Sequence, residues 1–252
     1  QENHMSTTHC HLIGAPVDSG KRRAGCLMGP DALRTAGLAQ ALGDLSHDVT
    51  DHGNLTAPPA LDTDSGQVFS RHQTVGWTRT LMHKAEAMMD GGLPIFMGGD
   101  HSLSLGSLTG VAAHAARTGR PQFVLWLDAH TDFHTPLTTA SGHLHGTPLA
   151  YATGQSGFDD FPPVPAPVPH ENVCILALRS VDAPERASLA ASRIVYHDLP
   201  STDEPRIARP PAAVLDPSAQ PGRPLPVSLH RPFPAAPLAP AVAPPLHRAP
   251  PS

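Results

Sequence analysis

Phe123-Val-Leu-Trp-Leu127, running straight into Asp128-Ala129-His130-Thr131-Asp132, is the stretch that decides how this chain folds and where its chemistry sits. A short apolar run rich in branched and aromatic residues reads as a buried strand of a parallel sheet. Three potential metal ligands follow within five residues of its end. Upstream, Leu93-Pro-Ile-Phe-Met97 repeats the arrangement and runs into Gly98-Gly99-Asp100-His101. Two strand ends therefore carry ligand-type side chains, the place where open α/β sheets put their chemistry. If the segment stays extended, Asp128, His130 and Asp132 point to one side, because side chains along a strand alternate. His101 then completes a carboxylate–imidazole set, which suits a hard or borderline divalent cation such as manganese, with zinc less favoured.

Working outward, strands are predicted at His11–Gly14, Asp48–His52, Leu93–Met97, Phe123–Leu127, Val173–Leu178 and Arg193–Tyr196. One helix is predicted over Gly29–Leu42, with Pro30 near its start, and another over Thr74–Asp90, stopped by Gly91-Gly92. This alternation of strands and helices predicts an α/β fold with a central, mainly parallel sheet covered on both faces. Phe161-Pro-Pro-Val-Pro-Ala-Pro-Val-Pro169 reads as a surface loop, since proline lacks the amide donor that helix and central strand need.

The 252 residues carry a formal charge of −5 and no long basic run, which gives nucleic-acid binding little support. No long apolar segment or leader pattern points to a membrane or to secretion. Cys10, Cys26 and Cys174 form no C-x-x-C pair, which argues for a reducing compartment and a cytoplasmic protein. Residues 1–204 read as one catalytic domain. From Pro205 the composition changes: 15 of the 30 prolines fall in residues 205–252. That segment reads as a polyproline tail by composition alone, or as a divergent or incomplete remainder of the same domain.

Gly98-Gly-Asp-His-Ser102, Asp128-Ala-His-Thr-Asp132 and Ser141-Gly-His-Leu-His-Gly146 resemble the motifs of the ureohydrolase (arginase–agmatinase) family. Thr135-Pro-Leu-Thr-Thr139 places the resemblance nearest the arginases, and Ile13-Gly-Ala-Pro16, Gly29-Pro-Asp-Ala-Leu-Arg34, Asp51-His-Gly-Asn54 and Ala177-Leu-Arg-Ser-Val-Asp182 extend it. The resemblance implies a three-layer α/β/α sandwich and two manganese ions. It also implies hydrolysis of the L-arginine guanidinium group to L-ornithine and urea by a metal-bridging hydroxide. By motif match, His101 and Asp132 ligate one ion, His130 the other, and Asp128 bridges both. Asp132 also holds the hydroxide, His145 shuttles protons, and His134, Ser141 and Asp182 hold the substrate's amino-acid end. His134 and His143 stand where the family has asparagine. A homo-oligomer, trimeric or hexameric, is the assembly the family suggests.

The family's second metal motif, Ser-x-Asp-x-Asp, can be laid without a gap over Leu225–Val242, with a strand expected there. In that register His230 and Pro232 occupy the two aspartate positions, so the second ion is expected to bind weakly. The glutamate that the family supplies for the guanidinium falls beyond the last residue of the chain. The alternatives to arginine hydrolysis are a catalytically impaired family member with an incomplete binuclear site, and a hydrolase of another guanidino compound such as agmatine or guanidinobutyrate.

Overall fold

A computed structural model describes residues 7–56, 58–59, 66–198 and 227–230. Among the described residues, strands run as β1 (His9–Ala15), β2 (Asp48–Asn54), β3 (Leu93–Gly98), β4 (Phe123–Leu127), β5 (Val173–Leu178), β6 (Val195–Asp198) and β7 (Val227–His230). Between them lie α1 (Gly29–Thr35), α2 (Leu38–Asp44), α3 (Arg71–Met88), α4 (Leu103–Arg117), α5 (Pro148–Ala152) and α6 (Ala183–Ala190). Every pairing is parallel. Where one central sheet was expected, the described strands pair as two, in the orders β2-β1-β3 and β6-β5-β4-β7.

β4 alternates: Val124 and Trp126 are fully buried among Leu105, Leu108, Val173 and Ile175, while Leu125 and Leu127 pack with Cys174, Leu176 and Val195 on the other face. α3 and α4 press together at Gly106 and Gly110, where an added Cβ would lie 2.4 Å from the Thr78 carbonyl oxygen and 2.3 Å from that of Met82. Only glycine allows so close an approach. Trp77 and Leu81 of α3 in turn cover Ala15 of β1.

Three expectations need correction. The single helix over 29–42 is two, because Gly37 takes a left-handed φ of 83° that ends α1 and starts α2. The last predicted strand lies two residues later, since the Ser192 hydroxyl accepts the Ile194 amide and holds the chain in a turn before β6. The proline stretch 161–169 has no helix or strand, yet it is not wholly on the surface. Phe161 and Val168 are buried, with Phe161 packed against Tyr151 and the Val168 amide bonded to the Ala152 carbonyl. The other readings of the proline-rich tail lie outside the described residues, apart from β7. That strand falls within the laid-over register and pairs His230 with Trp126.

Candidate metal centre

β3 and β4 deliver the site. The Gly99–Ser102 turn after β3 is fixed by Asp100, which is buried. Its Oδ1 accepts from the Ser102 amide at 2.9 Å and the Ser102 hydroxyl at 2.5 Å, and its Oδ2 accepts from the Gly20 amide at 2.8 Å. The turn thereby presents His101, whose ring stacks on Trp126 with centroids 4.7 Å apart.

His101 Nδ1 lies 3.2 Å from Asp128 Oδ2 and 2.8 Å from Asp132 Oδ2, and the three ligand atoms lie within 4.8 Å of one another. His130 is elsewhere: 60% of its side chain is exposed, and its Nδ1 sits 3.4 Å from the other Asp128 oxygen. Strand alternation is therefore not what assembles the site. β4 stops at Leu127, and the Arg179 and Ser180 amides donate to the Ala129 carbonyl and bend the chain there. Asp132 then adopts a left-handed φ of 47°, and its carbonyl accepts from the Leu149 amide at the start of α5. Such a backbone is costly outside glycine, by about 1–3 kcal/mol, and persists only where the surroundings enforce it.

Electrostatics follow the geometry. Burial opposes a charge on His101, but Asp132 and Asp128 overcome it and push its pKa up to about 9. Burial also opposes charge on Asp128, yet His101 and His130 hold its carboxyl well below the usual range. Burial and the neighbouring Asp128 raise Asp132. Two buried carboxylates thus share the positive charge of one enclosed imidazole, an arrangement of oxygen and nitrogen donors that fits a hard or borderline divalent cation.

The 141–146 loop lies alongside, tied by the His134 amide to the Gly146 carbonyl at 3.2 Å. His145 is anchored by its own amide to the Gly20 carbonyl, the same glycine that Asp100 holds. Burial pushes the His145 imidazole pKa down. Ser141 is exposed, with its hydroxyl 3.2 Å from that of Thr139 and accepting the His143 amide. Asp182 caps α6 by accepting the Glu185 amide, and its Oδ2 lies 2.8 Å from His134 Nε2.

Sequence reasoning overlooked Glu185. Although almost fully buried, it accepts from the Thr131 hydroxyl and, at 3.3 Å, from the Phe133 amide, and so braces the 131–133 segment from α6. The available signal was Asp182-Ala-Pro-Glu185, a helix-start pattern.

A parallel α/β scaffold with a buried histidine–carboxylate cluster at its strand ends defines a protein with a candidate metal centre of hydrolase type. The chain belongs to the arginase family, hydrolases acting on guanidino compounds: the family model, "Arginase family", matches residues 8–245. It is 49% identical over 247 residues to an arginase of Agrobacterium fabrum, covering 97% of this chain and 74% of the relative. An arginase of Brucella melitensis is 47% identical over 204 residues, covering 79% of this chain and 66% of that one. Arginase from Bacillus caldovelox superposes with a TM-score of 0.69 at 29% identity, over 76% of this chain and 65% of that structure. The chain thus spans between about two thirds and three quarters of the length of these relatives.

Proposed function

We infer that the chain serves hydrolysis of the L-arginine guanidinium group to L-ornithine and urea, with manganese held by His101, Asp128, Asp132 and His130. The observation that carries this reading is the buried cluster at the ends of β3 and β4, in which one Asp128 oxygen faces His101 and the other faces His130. Paired divalent cations, when bound, supply a water acidic enough to attack near neutral pH. Asp128, with one oxygen towards His101 and the other towards His130, would serve both ions. Asp132, beside His101, would accept a hydrogen bond from that water and orient it. His145, whose pKa burial pushes down, would relay a proton towards the leaving amine, gaining one at one ring nitrogen as it gives one up from the other. His134, Ser141 and Asp182 supply the polar contacts that select an amino-acid end over simpler guanidines. A cytoplasmic homo-oligomer of three or six chains belongs to the same reading.

One observation favours a second reading, a member with an impaired binuclear site. β7 brings His230 into register with Trp126, on the strand where carboxylates for the second ion are expected. The test is urea release from L-arginine at saturating manganese, with agmatine and guanidinobutyrate as competing substrates. Turnover of arginine in preference to both supports the first reading. No urea from any of the three supports the second.

A further inference from the structure

Beside the candidate centre lies a second convergence of ligand atoms. His134 Nε2, Asp182 Oδ2 and a Glu185 carboxylate oxygen lie within 4.8 Å of one another. Nε2 is 2.8 Å from Asp182 Oδ2 and 3.8 Å from Glu185 Oε2. Each side chain is held by its other polar atom. His134 Nδ1 lies 3.1 Å from the Thr138 hydroxyl, Asp182 Oδ1 accepts the Glu185 amide at 2.9 Å, and Glu185 Oε1 takes the Thr131 hydroxyl and the Phe133 amide. Bracing of this kind fixes the imidazole tautomer and aims the remaining lone pairs at one point.

An ion pair between His134 and Asp182 does not account for the whole arrangement. It uses Nε2 on Asp182 and leaves Glu185 Oε2, on a residue only 7% exposed, beyond hydrogen-bond reach of the imidazole. A cation satisfies all three atoms. Around zinc, ligands at about 2.1 Å stand roughly 3.4 Å apart in a tetrahedron, so shifts well under 1 Å complete the set. Asp182, half exposed, leaves the outer side open for water.

We propose that His134, Asp182 and Glu185 form a cation site separate from the His101–Asp128–Asp132 cluster, one that takes a borderline divalent ion such as zinc or cobalt. The two carboxylates attract a cation, and the imidazole nitrogen favours these ions over magnesium or calcium. An ion bound there displaces the amino-acid end of the substrate, a consequence that rests on the arginine reading above.

The test is titration of the full chain with cobalt(II), followed by its visible absorption and by metal counted after gel filtration. The wild type should hold one more equivalent than His134→Asn, at equal far-UV dichroism, and Asp128→Asn should retain that extra equivalent. Asp182→Asn, which keeps the helix cap but removes the charge, should weaken the site at least tenfold. Equal binding by wild type, His134→Asn and Asp182→Asn overturns the proposal, as does loss of the extra equivalent in Asp128→Asn. Because the readout is bound metal and not urea, failure here is distinct from failure of the arginine reading.

Discussion

Asp100 shows how one side chain organises the site without being a ligand. Its two oxygens accept three hydrogen bonds and tie the turn that carries His101 to Gly20, whose carbonyl holds His145. Asp100→Ala orphans those buried donors and should cost about 3 kcal/mol in a denaturant titration; a loss under about 1 kcal/mol would contradict the role given to it. His101 supports a pH prediction for the metal-free protein. Its pKa is raised from 6.5 to about 9 on folding, so its contribution is complete below about 6.5 and is lost as pH rises through 9. The thermal midpoint of metal-stripped protein should therefore fall between pH 7 and 9.5, and His101→Asn should flatten that fall.

At the scale of elements, glycine sets boundaries and separations. Gly37→Ala places a Cβ in a left-handed conformation, with nothing nearby to clash, so backbone strain alone applies. The cost should be about 1 kcal/mol in chemical denaturation. Gly106→Leu should cost more, because it pushes α4 off the Thr78 carbonyl of α3. The strands were largely legible in the sequence: β4 and β5 match their predicted bounds, since each is an apolar run of five or six residues, too short for an ordinary helix. The break at Gly37 was less so, because apolar spacing continues across it and one glycine inside a helical pattern is common. At the site, the motifs named His101, Asp128 and Asp132, whose ligand atoms do converge, but gave no sign of Glu185, and strand alternation put His130 on their side. The bend at Ala129 is set by amides from residues 179 and 180, and no local pattern reveals a contact so distant in sequence.

For the whole molecule, the candidate centre joins both sheets. His101 hangs from β3 of the first and Asp128 and Asp132 from β4 of the second, while Glu185 reaches back from α6 to brace the loop between. An ion that binds this cluster only in the folded chain stabilises the fold as a unit, by about 2.7 kcal/mol at a hundredfold excess over its Kd. Manganese should accordingly raise the thermal midpoint of the wild type by more than that of Asp128→Asn. Manganese counted per chain at equilibrium in wild type and Asp128→Asn reads whether the strand-end cluster holds the metal. At least one more tightly held ion per chain in the wild type than in the variant is the predicted result; equal manganese in both contradicts it.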